Sequence, residues 1–315
     1  MTVSVPPFKP LRVVGLMSGT SMDGIDAAYL ETDGDQFVQR GAALTLPYPP
    51  AFRARLGAFI AAAPARGASP LEAEMESALT DLHGAAVAHL FKAMDRSAAA
   101  LDLVGFHGQT VWHRPARQGS MTGATWQMGD GARLAETLGV AVAFDFRSAD
   151  VSAGGQGAPL VPVYHAALAH GDRPAAILNV GGVANITWMG ERPDALIGFD
   201  TGPGNGLIDD WVRERLGLAM DQDGAIAAKG RVHGDLVVRM IAQPFFARPP
   251  PKSLDRFDFT LQDIAHLNTE DGAATLAAFT AACAARALDH CPSRPQKMFV
   301  TGGGRHNPFL MAQLA

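Results

Sequence analysis

Cysteine is nearly absent from this chain: Cys283 and Cys291 are the only two in 315 residues. That excludes a disulfide framework and a four-thiolate zinc site, and it suits a reducing compartment. No Lys/Arg run occurs and the net charge is −5. A nucleic-acid or anionic-membrane surface is therefore not expected, and a small molecule is the better partner. No apolar run reaches the length of a bilayer span. The Pro-containing start, Met1 to Pro10, has no apolar signal-peptide core, so a cytoplasmic protein is expected. Two phosphate-binding fingerprints are missing as well. There is neither Gly-x-x-x-x-Gly-Lys-Ser/Thr nor Gly-x-Gly-x-x-Gly, which removes a P-loop enzyme and makes an ordinary dinucleotide site unexpected.

What is present is a polar, glycine-rich turn between two apolar runs, Gly15-Leu-Met-Ser-Gly-Thr-Ser-Met-Asp-Gly-Ile-Asp26. Two short strands joined by Gly, Ser, Thr and Asp describe a β-hairpin with a flexible tip. Glycines let backbone approach a ligand, and hydroxyls with free N–H groups suit phosphate oxygens. Asp23 would repel a bare phosphate but is suited to Mg²⁺, directly or through water. An ordinary hairpin whose Gly and Asp serve only the turn remains the alternative.

With 48% hydrophobic residues the chain is long enough for two lobes with cores. Strands are expected at 12–17, 25–31 and 37–46, then helices on the faces Phe52/Leu56/Phe59/Ile60 and Leu71/Met75/Leu79/Leu82/Ala86/Leu90. A strand at 102–106 should end at His107-Gly-Gln-Thr110, with a strand at 125–128, a helix at 132–138 and a strand at 140–146 following. A glycine loop at 152–158 and a helix at 164–169 lead to strands at 175–180, 183–189 and 195–199. Helices at 205–216, 234–241 and 273–289 come next, then a strand at 297–300 and a short helix after Pro308. Pro249-Pro-Pro-Lys252 reads as a rigid surface loop. The strand, glycine-turn, strand, strand, helix order recurs, so an α/β protein of two similar lobes (1–150 and 151–315) around a cleft is expected.

Six glycine turns carry polar residues at the ends of expected strands: 18–26, 107–110, 154–157, 181–185, 200–205 and 301–307. Ligands of open α/β sheets bind at the carboxyl ends of strands, so these turns are expected to line one site. Asp200 in Asp200-Thr-Gly-Pro-Gly-Asn205 follows a strand and precedes a helix. It is either a general base near anionic phosphate or a helix cap.

These motifs, with Asp145-Phe-Arg147, Ala153-Gly-Gly-Gln-Gly-Ala-Pro-Leu160, Asn179-Val-Gly-Gly182 and Gly302-Gly-Gly-Arg-His-Asn-Pro308, closely resemble the anhydro-N-acetylmuramic acid kinase family in order over nearly the whole chain. The resemblance implies two ribonuclease-H-like lobes of the actin, hexokinase and heat-shock ATPase fold. It also implies ATP with Mg²⁺ as cofactors and 1,6-anhydro-N-acetylmuramic acid as substrate, in peptidoglycan recycling. Ring opening by water and phosphorylation of O6 give N-acetylmuramate 6-phosphate. Asp200 matches the family's base. Gly19, Thr20, Ser21, Met22, Asp23, Gly24, Ile25 and Asp26 should hold the ATP phosphates, with Asp23 near the metal. Gly302, Gly303 and Gly304 should flank the adenosine.

Gln109, Thr110, Arg147 and Asn205 are expected sugar contacts, Arg147 pairing with the lactyl carboxylate or instead with Asp145 or Asp150. His107 either orients its strand or meets the sugar. A homodimer is implied by the same resemblance. Family members run on past the Gly-Gly-Gly motif, so this chain, ending at Ala315, is expected to be a shortened version. Another sugar or small-molecule kinase of this fold, or a non-catalytic ATP- or sugar-binding module, is the alternative.

Overall fold

The computed structural model describes residues 9–19, 22–62, 65, 67, 70–97, 101–116, 123–169, 171–254 and 258–315. Thr20 and Ser21, both expected phosphate contacts, lie outside the described residues. The chain divides into two compact units, Met1–Gly157 and Ala158–Ala315.

The first unit begins with three antiparallel strands, β1 (Leu11–Ser18), β2 (Gly24–Thr32) and β3 (Val38–Pro47). Helices α1 (Pro50–Ala61) and α2 (Pro70–Ala93) follow. Then come β4 (Leu103–Arg114), β5 (Ala124–Met128), α3 (Gly131–Leu138), β6 (Val142–Phe144) and α4 (Ser148–Ser152). The sheet order is β3-β2-β1-β4-β5, with β6 also on β4. β4 is parallel to β1 and to β6. Alternation along the strands sends Val14, Leu16, Ile25, Ala27, Val104 and Phe106 into a core closed by Leu56, Phe59, Met75, Leu79, Ala86 and Leu90 of the helices. The α2 stripe is thus core, except that Leu71, at its first turn, is exposed.

The second unit contains α5 (Pro162–Leu168), β7 (Ala175–Val180), β8 (Val183–Met189), β9 (Leu196–Pro203), α6 (Gly206–Leu216), α7 (Gly234–Ile241), α8 (Pro244–Ala247), α9 (Thr269–Ala287), β10 (Lys297–Thr301) and α10 (Pro308–Leu314). Its sheet runs β10-β7-β8-β9, antiparallel from β7 to β9 and parallel between β7 and β10. Read outward, third, second, first and fourth strands stand side by side in both units, with the same directions. This repeat is absent from the residue identities and present in the topology.

α9 lies in the core, burying Ala273, Leu276, Ala277, Phe279, Cys283 and Ala284 against β9, α6 and α7. Its alanines let neighbours close in. Trp211 of α6 lies over Gly272, where a methyl group would sit 2.3 Å from the indole. The indole nitrogen donates to the Thr269 carbonyl at 2.8 Å.

Three local expectations are corrected. β4 does not end at Phe106. It continues through 107–110 to Arg114 to pair with β5, so that segment is strand rather than turn. β9 likewise runs through Asp200 to Pro203. The Pro-rich segment is not an open surface loop at its end, because Lys252 is only 2% exposed.

Candidate active site

In the first unit the hairpin tip is held from below. Ser18 Oγ donates to Gln109 Oε1 at 2.5 Å and lies 2.6 Å from Tyr48 Oη. Gln109 is fully buried, and its Nε2 donates to the carbonyls of Gly19 (3.3 Å) and Thr110 (3.2 Å). Both amide atoms are therefore engaged with the turn. Burial pushes the Tyr48 phenol up to about 12, against the lowering effect of Ser18, so it stays protonated as a donor. Gln109 reaches Ser18 because β4 carries an extra residue. The register steps from Leu16↔Phe106 to Ser18↔Gln109, and Gly108 takes φ +70° with only 2.3 Å between a would-be Cβ and the Met128 carbonyl.

At the tip, the Met22 N–H donates to the Gly19 carbonyl at 3.1 Å, and Met22 adopts φ 55°. Gly24 is required by β3, since a Cβ would meet the Leu46 carbonyl at 2.3 Å. The Ile25 side chain is in the core. Its main chain lies in the sheet between Ser18 of β1 and Leu46 of β3. Asp26 Oδ1 accepts from the Thr45 hydroxyl at 2.5 Å.

Asp23 is exposed and pairs with Arg53 at 3.0 Å. Among the described residues no group of three His, Cys, Asp or Glu side chains forms a metal centre. A single exposed carboxylate paired with an arginine suits Mg²⁺ only as an outer partner, since that ion keeps several waters and is carried chiefly by substrate phosphates. It does not suit a metal held by protein alone.

A second cluster surrounds the 153–157 loop. Arg147 Nε and Nη2 donate to His107 Nε2 at 3.1 and 2.9 Å, and Nη1 donates to the Gly157 carbonyl at 2.5 Å. Asp150 accepts from the Gly157 N–H at 2.6 Å. Since arginine only donates, His107 Nε2 is the acceptor and Nδ1–H donates to the Gly108 carbonyl at 2.8 Å. Burial, then the Arg147 charge, push His107 down to about 4, so it is neutral at pH 7. The Arg147 fork is thus directed at the strand and the loop. Thr110 Oγ1 lies 3.5 Å from Gln127 Nε2.

In the second unit three glycine turns meet. Gly204, Asn205 and Gly206 donate N–H bonds to the carbonyls of Gly182, Gly181 and Gly182 at 2.9, 2.7 and 3.1 Å. A Cβ on Gly204 would lie 2.1 Å from the Gly181 oxygen. Asn205, which caps α6 without a side-chain bond, donates from Nδ2 to the Val180 carbonyl at 3.3 Å. Gly302 has φ +83°, and a Cβ there would lie 2.5 Å from Val180 O and 2.7 Å from Asn179 Oδ1, while one on Gly304 would lie 2.5 Å from the Val180 side chain. Gly303 alone of the three is open: a Cβ would meet only Asn205 Nδ2, at 3.7 Å.

Asp200 stands in this neighbourhood, 6% exposed, within β9. Helix capping is excluded as its role, because Asn205 holds the N-cap of α6. Its Oδ2 accepts the Leu254 N–H at 2.8 Å, and its N–H donates to the Lys252 carbonyl at 3.1 Å. Between the pairs Ala184↔Gly202 and Asn185↔Asp200, Thr201 is an unpaired bulge residue. Bulges re-aim the side chains beside them and recur next to active sites. Among the described residues the buried Thr201 hydroxyl and Asn185 Oδ1 have no hydrogen-bond partner. Ser18, Asn185 and Thr201 lie inside the glycine turns 18–26, 181–185 and 200–205 expected to line a site, without having been named individually, whereas nothing in the sequence marks Tyr48 and Lys252 as site residues.

Two sheets of the same strand order, one in each unit, define the class as a two-unit α/β protein with a repeated topology. The sequence model of one family, Anhydro-N-acetylmuramic acid kinase, matches residues 11–315. The chain belongs to that family. The anhydro-N-acetylmuramic acid kinase of Rhizorhabdus wittichii is 53% identical over 309 residues, 97% of this chain and 83% of the relative. That of Rhodospirillum rubrum is 52% identical over 302 residues, 96% and 78% of the two chains. Two similar solved structures are more distant than these relatives. Component A of the (R)-2-hydroxyglutaryl-CoA dehydratase of Acidaminococcus fermentans is 9% identical with TM-score 0.46, covering 96% of this chain and 87% of its own. A ligand-bound xylulose kinase from Lactobacillus acidophilus is 9% identical with TM-score 0.43, covering 97% and 83%. Among the described residues no helix is long and apolar enough to cross a membrane.

Proposed function

We propose that this chain opens 1,6-anhydro-N-acetylmuramic acid with water and transfers the γ-phosphoryl group of ATP to the freed O6, giving N-acetylmuramate 6-phosphate. The observation that carries the reading is Asp200: a buried carboxylate with one oxygen fixed by a main-chain donor, on a bulged strand that ends in glycine turns. Asp200 takes a proton from water as the water oxygen bonds to C1, and the C1–O6 bond breaks. O6 bonds to the γ-phosphorus, and the bond from phosphorus to the β–γ bridging oxygen breaks, releasing ADP. Asp23 would hold a bound Mg²⁺ through its carboxylate, and that ion would supply neutralisation of the phosphate charge. The protein supplies alignment and electrostatics for the phosphoryl step.

In this reading the turn from Gly19 to Asp26 holds the phosphates and Gly303 is the close approach for the adenosine. Thr110 and Asn205 face the sugar. Gln109 and Arg147 act by holding the hairpin and the 153–157 loop, since their polar atoms are engaged there. A cytoplasmic homodimer completes the reading, and light scattering reads the oligomeric state.

The test is incubation with ATP, Mg²⁺ and the anhydro sugar, the product being read by mass spectrometry. Gain of both phosphate and water mass is expected, whereas phosphate alone means a simple kinase. Asp200→Asn should lower kcat by about 10²–10⁴-fold while ATP still binds. Near-normal turnover by that variant rejects the base assignment.

A further inference from the structure

We propose that Lys252 is a positioning residue for the reaction: its buried ammonium anchors the strap 249–254 beside β9 so that the Leu254 N–H holds the Asp200 carboxylate in place. The inference rests on the reading of Asp200 as the base.

The strap brackets Asp200 twice. Lys252 offers its carbonyl to the Asp200 N–H at 3.1 Å, and two residues on, the Leu254 N–H reaches Asp200 Oδ2 at 2.8 Å. One bond joins main chain to main chain and the other main chain to side chain, both made by a segment outside the sheet. What keeps the segment there is Lys252. Its Nζ lies 4.7 Å from the Phe245 ring centroid and 5.6 Å from that of Phe199, the residue preceding Asp200. Nζ also donates to the Phe245 carbonyl at 3.3 Å.

No carboxylate is among the described partners of this ammonium, although the residue is 2% exposed. An unpaired buried cation is costly, and two aromatic faces with one carbonyl offset only part of that cost. Burial, with Arg248 and Arg286 adding like charge and the Cys283 thiol opposing them, pushes Lys252 down to about 8. The His290 ring stands edge-on to Phe199, its centroid 6.0 Å away. Packing alone would be better served by Met or Leu. The cation sits where a shift of the strap would move a donor off the base.

Three variants test this: Lys252→Met keeps the stem without the charge, Lys252→Arg keeps a cation over the rings, and replacing Leu254 by its 2-hydroxy acid deletes one N–H. Misplacement of a catalytic group by about 1 Å costs up to roughly a hundredfold. Lys252→Met should therefore lower kcat about 10- to 100-fold with KM for ATP within about twofold, and Lys252→Arg should restore most of the rate. The ester should lower kcat and move the acid limb of the pH–kcat profile upward by about one unit, because the ionised carboxylate loses a donor. Normal kcat in Lys252→Met, or failure of Lys252→Arg to rescue, overturns the proposal. Should Lys252→Met not fold, an unchanged pH profile in the ester overturns it equally. Asp200→Asn is run beside them: its retention of turnover would sink the base assignment, whereas a dead Asp200→Asn with a normal Lys252→Met sinks only the strap.

Discussion

Replacing Gln109 by Leu should disarm the hairpin without touching its tip. Ser18 and Tyr48 bring two hydroxyl protons to a chain that ends on one acceptor, Gln109 Oε1, reached by Ser18 at 2.5 Å. With leucine in place, whichever way the two hydroxyls turn, one donor is left buried without a partner. An orphaned buried donor costs about 1–3 kcal/mol, and the lost bonds to Gly19 and Thr110 about 1 kcal/mol each, partly offset by apolar burial. A net loss of about 3 kcal/mol is expected. For a unit of this size that lowers its melting temperature by about 6–12 °C. Because Gly19 is freed, KM for ATP should rise in the same variant. Scanning calorimetry and ATP titration read the two effects. Removing all three members together (Ser18→Ala, Tyr48→Phe, Gln109→Leu) should cost less than the sum of the single changes. A variant melting within about 1 °C of the parent, with unchanged KM, would refute the reasoning, since an orphan of this kind cannot be that cheap.

The glycines of the second unit separate into two kinds. Gly204→Ala puts a methyl 2.1 Å from a carbonyl oxygen and should destabilise by about 2 kcal/mol or more, whereas Gly303→Ala, with 3.7 Å to spare, should fold normally and weaken ATP binding. Thermal melts with nucleotide titration decide between them, and equal melting of both variants contradicts the assignment. Buried His83 is pushed down to about 4 by burial, from 6.5. The unfolded chain then binds more protons between pH 6.5 and 4, so stability falls with pH across that window, by up to about 3 kcal/mol from this residue. Acid titration of His83→Leu should show a shallower loss. Finally, Asp23→Ala should raise the Mg²⁺ concentration for half-maximal turnover severalfold, and an unchanged Mg²⁺ curve removes Asp23 from the metal's surroundings.

Amino-acid order alone determined the elements and the family. β7 and β8 fall on 175–180 and 183–189 and α7 on 234–241, as read from apolar runs bounded by glycine, because local periodicity and turn chemistry act over a few residues. The motifs likewise carried the kinase family. Only tertiary structure decided what each polar group does. Whether 107–110 is turn or strand depends on β5 and Met128, far along the chain. That Gln109 and Arg147 spend their donors on Gly19 and Gly157 is a matter of neighbours brought together by the sheet and the loop. Lys252 looks like a solvated charge in a proline run, and it becomes a buried cation because Phe199 and Phe245 arrive from separate elements. Backbone preference is local and therefore readable in order along the chain. Burial and hydrogen-bond partnership are properties of distant segments meeting, and no window of sequence contains them.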